Sequence, residues 1–357
     1  MEVLLLAPAP KDIAPGQRFR FEQFLLSANE KGINFTLKPF LSARVRKLLY
    51  QKNHTFQKLA GISVGYLRRL ALLFTLHKYD CVYVYKEAAP VGPPFFEWII
   101  AKVFRKKLIF DFDDSIWVKL ASDANPLVAN LKCSWKVKEI CKYSSLVTVG
   151  NQFLADFALQ YNKNVQIIPT VVNTETRHNR IKDHSNGKLI IGWTGTFTNL
   201  KYLELAIPAL IRLKKKHHFE FLIIADKDPE YKNIEYSYLP WNLNTEIDDL
   251  MQVSIGIMPL NDTEVEKGKC AFKAIQYMSL GIPAVVSPVG TNKKVVEDGI
   301  NGYWAANEEE WYNNLEKLLM DPALRNKMGQ QSRNKVVNAY SVKAIENAFY
   351  AAIFSVK

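Results

Sequence analysis

Short apolar runs rich in β-branched residues alternate along the chain with segments whose apolar positions recur every three or four residues. This alternation of strand and helix periods marks parallel α/β sheets. In the first half it predicts strands near 3–7, 34–39, 81–85, 107–112, 146–149 and 165–168, with helices between them, such as 19–31, 97–104 and 135–143. A polar stretch from Asn173 to Lys188 then interrupts the pattern, with Thr174, Glu175, Arg177, Lys182, Asp183, Ser185, Asn186 and Gly187. Beyond it the alternation restarts, with strands at 189–193, 220–225, 234–238, 254–258 and 284–287 and helices at 202–215, 244–251 and 272–280. The layout expected is a first α/β domain over 1–172, a linker over 173–187 and a second α/β domain over 188–341. A last helix, 342–357, carries an apolar stripe (Ile345, Ala348, Phe349, Ala352, Ile353) that needs a partner surface and is expected to pack back on the first domain.

Bulk properties agree with two soluble globular cores. The 357 residues, 48% hydrophobic and 23% charged, suit two domains of roughly 150–200 residues each. No apolar run approaches the roughly 20 residues that span a bilayer. The opening Met1-Glu2-Val3-Leu4-Leu5-Leu6-Ala7 lacks the basic region of a signal peptide and reads as a buried first strand. The four cysteines (Cys81, Cys133, Cys141, Cys270) form no C-x-x-C pair, and with six scattered histidines they offer no metal-ligand spacing. Reduced thiols in a cytoplasmic protein without a metal are therefore expected.

Charge changes the picture because it is uneven. Of the net +12, much lies between Lys31 and Tyr79, where there is no acidic residue. Lys31, Lys38, Arg44, Arg46, Lys47, Lys52, Lys58, Arg68, Arg69 and Lys78 interleave there with Phe40, Leu48, Leu49, Tyr50, Phe56, Leu59, Tyr66, Leu67 and Leu70. A basic, apolar-studded surface suits the anionic inner face of a membrane, held peripherally. An ordinary solvated basic face is the plainer alternative. Nucleic acid would feel the same field, but that reading rests on charge alone, and no nucleic-acid partner is expected.

Candidate chemistry sits at strand ends. In Gly268-Lys269-Cys270-Ala271-Phe272-Lys273-Ala274-Ile275-Gln276, a glycine-containing loop opens a helix that closes at Gly281. A helix N-terminus holds anions, and Lys269 and Lys273 oppose the helix dipole there unless an anionic ligand such as a diphosphate is bound. Two solvated lysines on a surface helix are the bland reading. Gly192-Trp193-Thr194-Gly195-Thr196-Phe197-Thr198-Asn199-Leu200-Lys201 places small residues after a strand, where ligands bind in open α/β sheets, although any βα turn looks similar. Phe110-Asp111-Phe112-Asp113-Asp114 crowds three carboxylates, which is costly without a ligand, cation or shared proton. Asp113 and Asp114 are read as cleft residues that position an acceptor hydroxyl or a sugar; helix capping and a surface ion pair compete with that reading. Gly16 and Arg18, after the first strand, and Asn151, a plausible N-cap, are further strand-end residues. Trp241 follows a strand, where it meets a nucleotide base or simply packs.

With these segments in order, the chain resembles the GT-B-fold retaining glycosyltransferases of family 4 (glycosyltransferases group 1). The likeness is most specific over 268–290, with Pro259-Leu260 before it and Val295-Val296-Glu297-Asp298-Gly299-Ile300-Asn301-Gly302 after it. It implies two Rossmann-like domains facing across an interdomain cleft, the first on the acceptor side and the second binding the donor. In the family's Glu-x7-Glu motif Gln276 takes the ribose-contacting second position, and Gly268 takes the first, where the family contacts the sugar. Glu264 and Glu266 are the nearest carboxylates to Gly268. The family's diphosphate-binding Arg-x4-Lys pair aligns on Thr196 and Lys201, so only the lysine survives, with Lys269 or Lys273 to replace the arginine as a point charge. The family's cleft histidine has no match; Asp113 and Asp114 occupy that neighbourhood.

The resemblance implies a nucleotide-sugar donor, a glycan or lipid-linked acceptor, no cofactor and no metal. The donor site then comprises Gly195, Thr196, Asn199, Lys201, Trp241, Gly268, Lys269, Cys270, Ala271, Phe272, Lys273 and Gln276. The catalytic set is Asp113, Asp114, Lys201 and Lys269, with Gly16, Arg18 and Asn151 on the acceptor side. The product would be a surface polysaccharide or glycolipid. Three alternatives stay open: a GT-B-type sugar-nucleotide epimerase, a metal-dependent transferase using Asp111 and Asp113, and a sugar-nucleotide- or membrane-binding module without chemistry.

Overall fold

The computed structural model describes residues 1–49, 53–118, 133–185 and 187–357. Tyr50, Lys52 and Asn186, named above for the basic window and the polar stretch, lie outside the described residues. Among the described residues the strands form two six-stranded parallel sheets. The first contains β1 (Glu2–Ala7), β2 (Asn34–Pro39), β3 (Cys81–Tyr85), β4 (Lys107–Phe112), β5 (Leu146–Val149) and β6 (Val165–Ile167), in the order β2-β1-β3-β4-β5-β6. The second contains β7 (Ile190–Gly195), β8 (Glu220–Ala225), β9 (Ser237–Pro240), β10 (Ile255–Met258), β11 (Ala284–Val286) and β12 (Gly302–Trp304), in the order β12-β11-β10-β7-β8-β9. Parallel strands need helical crossovers, which cover both faces, and so the central strands are continuous apolar runs such as the fully buried Cys81–Tyr85.

Each sheet reverses its winding once. In the first the reversal lies between β1 and β3, with Val3 opposite Cys81; in the second it lies between β7 and β10, with Ile191 opposite Ile255. The carboxyl ends of those strand pairs are where open α/β sheets leave room for a ligand.

The chain divides into two compact units, Met1–Thr170 with Ile345–Lys357, and Val171–Ala344. In the first, the apolar stripe of the helix Val342–Phe354 is covered: Phe349 stacks on Phe24 at 4.2 Å, and the Tyr350 hydroxyl donates to the carbonyl of Phe24 at 2.5 Å. The second has its core around Trp193, Leu203, Ile207, Phe221, Trp311 and Leu315.

Local chemistry moved several element boundaries. The helix expected over 19–31 is a short helix, Pro15–Arg20, followed by 3-10 turns at Glu22–Leu26 and Asn29–Lys31. Gln17 exchanges two hydrogen bonds with the backbone of Ala9, and Glu22 accepts from the N–H of Asp12, so this segment clamps the β1 loop. The helix expected over 202–215 is a 3-10 segment, Phe197–Leu205, then a helix Ile207–Lys214 restarted by a proline in its first turn. The strand expected over 234–238 forms later, at Ser237–Pro240, because Ser237 is the residue that pairs with Leu222. β12 gave no sequence signal.

The described residues of the polar stretch 173–188 are tied to the second unit. Lys182 donates through its ammonium to the carbonyls of Met251 and Gln252 and through its N–H to Leu280, while His184 bonds the carbonyl of Gly281. These carbonyls end the helices Glu246–Gln252 and Phe272–Ser279, where backbone acceptors lack partners within their own helix. Polarity here satisfies helix ends, and composition alone did not separate that from a linker.

Candidate functional site

The carboxyl end of β7 continues into Thr196 and the 3-10 segment Phe197–Leu205. Its loop is tied down: the N–H of Phe197 donates to Asp226 at 2.5 Å, and the Asn199 amide donates to the Thr196 hydroxyl at 2.9 Å. Beside it, the chain after β10 runs through the short helix Glu264–Lys267 and Gly268 to the helix Phe272–Ser279. The two segments approach closely at Gly195. A Cβ there would stand 2.6 Å from the Trp193 ring and 2.8 Å from Cε of Lys273, so only glycine leaves room for the lysine stem. The Lys273 ammonium lies 5.5 Å from the Trp193 ring centre.

Two further cations gather nearby. Lys201, exposed on the 3-10 segment, and Lys269, on the loop after β10, hold their ammonium groups 5.2 and 5.7 Å from the ring centre of one buried tyrosine, Tyr202. Tyr202 donates its hydroxyl to Glu266, which also accepts from Thr263. Burial pushes the Glu266 carboxyl up, but the hydrogen bonds from Thr263 and Tyr202, with the charge of Lys269, hold it below the ordinary range. Glu266 is thus an anion braced against Tyr202, whereas Glu264 is exposed. Of the two carboxylates nearest Gly268, the buried one is committed to the wall under the lysines.

The helix Phe272–Ser279 starts without a side-chain cap. Its N-cap, Ala271, is fully buried with φ of 54°, a left-handed conformation that is uncommon outside glycine. Such strain is held by its surroundings and concentrates at functional sites. Cys270 is buried beside it. One turn on, Gln276 points to a group that the sequence reading missed. Its amide donates to Glu246 at 3.4 Å, the indole N–H of Trp241 donates to the same oxygen at 3.1 Å, and Arg177 pairs with the other oxygen at 2.8 Å. Glu246 is 4% exposed. It locks Trp241, five residues before it, and Gln276, thirty residues after it, in place.

In the first unit a second cluster forms at the ends of β1, β3 and β4. The Tyr85 hydroxyl donates to Asp113 at 2.8 Å, and the ammonium of Lys86 contacts Asp113 at 3.0 Å and Asp114 at 2.7 Å. Gly16 abuts it, since a Cβ there would lie 2.5 Å from the Tyr85 hydroxyl and 3.4 Å from Asp113. The cations that three crowded carboxylates require come from the chain itself: Lys86 for Asp113 and Asp114, and Arg20 for Asp111. Burial would raise Asp113, but Lys86, Arg20 and the Tyr85 hydroxyl outweigh it and hold the carboxyl below its usual value. Lys86 shows the converse: burial lowers its affinity for the proton, but Asp113 and Asp114 raise it well above the ordinary lysine range.

Asp111 is fully buried, with Arg20 on both oxygens and the Thr148 hydroxyl on one at 2.7 Å. That occupancy leaves it a structural partner of Arg20 and counts against a metal-binding D-x-D. Arg18 is 6% exposed, with its guanidinium 4.3 Å from the Phe19 ring. Asn151 caps the helix Gln152–Leu159, its side chain accepting the N–H of Leu154 at 2.9 Å.

Comparison with known proteins follows this division. Residues 188–321, which hold the lysine-lined strand ends, match the family model described as glycosyl transferases group 1. No curated protein matches the chain. Over the whole chain the structure is similar to sucrose-phosphate synthase from Thermosynechococcus elongatus, with TM-score 0.70 and 13% identity, covering 100% of both chains. It is similar to Anabaena HepE in complex with UDP, with TM-score 0.71 and 14% identity over 99% of this chain and 100% of that one. The catalytic domain of starch synthase IV from Arabidopsis thaliana, bound to ADP and acarbose, gives TM-score 0.70 and 10% identity over 100% and 99%. The fold is GT-B. At these identities the likeness carries architecture alone.

Proposed function

We propose that the protein is a glycosyltransferase that moves a sugar from a nucleotide-sugar donor to a glycan or lipid-linked acceptor. The observation that carries this reading is that Lys201 and Lys269 lie against the ring of Tyr202 and Lys273 against Trp193 and Gly195, all inside the segment that matches a glycosyltransferase family. Cations on neighbouring strand-end segments attract an anionic ligand, and the start of the helix Phe272–Ser279 adds its positive dipole end. Two of the similar structures hold the nucleoside diphosphates UDP and ADP, the ligand class that such a site suits.

In this reading the paired phosphates rest against the helix start near Ala271 and Phe272, with Gly195 and Thr196 giving the backbone room to approach. Trp241 and Gln276, fixed by Glu246, meet the base and ribose. Breaking the anomeric C–O bond leaves negative charge on the departing diphosphate, and the lysine ammonium groups stabilise it without a metal. The acceptor hydroxyl attacks from the face the diphosphate leaves, its proton passing to a donor phosphate oxygen, so the anomeric configuration is retained. Asp113, kept ionised by Lys86 and Arg20, and Asp114 beside it orient an acceptor or sugar hydroxyl by accepting its hydrogen bond.

The test is acceptor-dependent release of nucleoside diphosphate. A panel of nucleotide sugars is first ranked by the rise in melting temperature each produces, since a ligand of the folded state stabilises by mass action. The best donor is then incubated with oligosaccharide and lipid-linked acceptors. Diphosphate release with a new glycosidic product supports the reading; interconversion of nucleotide sugars without an acceptor would assign an epimerase. Binding with no product under any acceptor would assign a module without chemistry.

A further inference from the structure

The helix Thr55–Leu73 in the first unit is built inside out for a helix of a globular domain. Its small residues face the body: a Cβ on Gly65 would stand 2.6 Å from the ring of Phe40, and one on Gly61 would stand 2.5 Å from Val45. On the same inward side Arg69, 2% exposed, donates to the carbonyls of Ala88, Lys38 and Ala7 at 2.8, 3.0 and 3.2 Å. The helix is therefore docked closely and through specific bonds, with Tyr66 edge-on to Phe40 at 5.3 Å.

Its bulk faces water. Phe56 is 82% exposed, Leu67 64% and Phe74, the C-cap, 80%, with Leu59, Val64 and Leu70 also exposed. At 3.6 residues per turn, Phe56, Leu67 and Phe74 fall within about 20° of one another around the axis. With Leu59, Val64 and Leu70 to either side, the six form one outward ridge about 140° wide and roughly 27 Å long at 1.5 Å per residue. An ordinary amphipathic helix turns this stripe to the core, and an exposed apolar patch of this continuity marks an interaction surface. Beside it, the ring of Tyr66 packs 6.0 Å from Phe96, whose neighbours Phe95 and Trp98 are further exposed aromatics.

Charge selects the partner. No acidic residue occurs between Lys31 and Tyr79, while Arg44, Arg46, Lys47, Lys58, Arg68 and Lys78 lie on this helix, the helix Ala43–Leu49 and their flanks. Among the described residues no helix is long and apolar enough to cross a membrane. We propose that the ridge Phe56–Phe74 lies in the interface of an anionic lipid bilayer, its apolar side chains among the upper acyl chains and the surrounding cations at the headgroups. This is how an interfacial helix with an apolar face and basic flanks binds: by apolar burial together with attraction to anionic lipid. The inference does not rest on the transferase reading, and binding is read without any donor or acceptor.

The full chain is sedimented with vesicles of phosphatidylcholine, alone or with 30% phosphatidylglycerol, over a salt series. The protein should bind the mixed vesicles, bind the neutral ones at least tenfold more weakly, and lose affinity as salt rises. Leu59→Gln/Leu67→Gln/Phe74→Gln should weaken binding to mixed vesicles at least tenfold, and Phe56→Gln alone a few-fold, with melting temperatures kept because these side chains already face solvent. Arg68→Gln/Lys78→Gln should flatten the salt dependence. Wild-type protein left in the supernatant, or ridge variants that bind like wild type, would overturn the proposal. So would a dimer in lipid-free solution that the triple variant dissolves, since the ridge would then belong to a second copy.

Discussion

Replacing Lys273 by methionine tests the electrostatic core of the proposed chemistry while keeping the side-chain stem that passes over Gly195. Two unit charges 4 Å apart interact by about 4 kcal/mol at the effective dielectric of a protein surface. Lys273 is half-buried at the mouth of its helix, and part of that energy is already made with the ground-state diphosphate. Allowing about 2 kcal/mol for the charge that develops only as the bond breaks gives a loss of roughly thirtyfold in kcat. Lys201→Met, at an exposed position, should cost at least tenfold. The assay is nucleoside diphosphate release from the donor that most raises the melting temperature, at saturating acceptor. Unfolding should be monitored alongside, because loss of the Trp193 contact would lower the melting temperature and mimic a chemical effect. Arginine at 273 should restore part of the rate, as it returns a cation of another shape. If Lys273→Met and Lys201→Met both turn over at near wild-type rates with unchanged stability, the lysines do not stabilise the leaving group and the assignment fails.

Three further outcomes are expected. Arg20→Met strands the fully buried Asp111 carboxylate and should destabilise the first unit by about 3–5 kcal/mol in urea unfolding, whereas Arg20→Met with Asp111→Leu should recover most of it; equal stability of the single variant and wild type would contradict the pairing. Asp113, whose folded carboxyl is held below the ordinary value of 3.8, stabilises fully above that pH and progressively less as pH falls through its folded value. The stability gap between wild type and Asp113→Asn should therefore stay constant above about pH 5 and close below pH 4; a gap that grows on acidification reverses the sign of the argument. Transfer should survive a strong chelator, and abolition restored by manganese would favour metal chemistry instead.

What the sequence made legible was periodic. Strand and helix periods located both sheets, and the Gly/Thr turn after β7 and the glycine loop before Phe272 fell at the strand ends where the winding reverses. What escaped was set by partners far apart in the chain. Arg20 with Asp111, Lys86 with Asp113, and Glu246 with Arg177 and Gln276 are pairings between separate segments, and no local pattern encodes them. The carboxylates of 111–114 looked expensive from sequence because their cations were invisible there. The cap at Asn151 was legible, because its partner, the N–H of Leu154, is three residues on. Periodicity also reveals that a helix has a stripe without saying which way it turns: Tyr66 of the basic window packs on Phe96, while Leu67, its neighbour, faces solvent.

A crystal structure with the nucleoside diphosphate of the best-ranked donor bound measures the central claim directly. Both phosphates should lie within hydrogen-bonding reach of the backbone at Ala271–Lys273, with at least two of Lys201, Lys269 and Lys273 turned onto them. A diphosphate bound elsewhere, or a helix start covered by protein while the nucleotide sits on other residues, would contradict it.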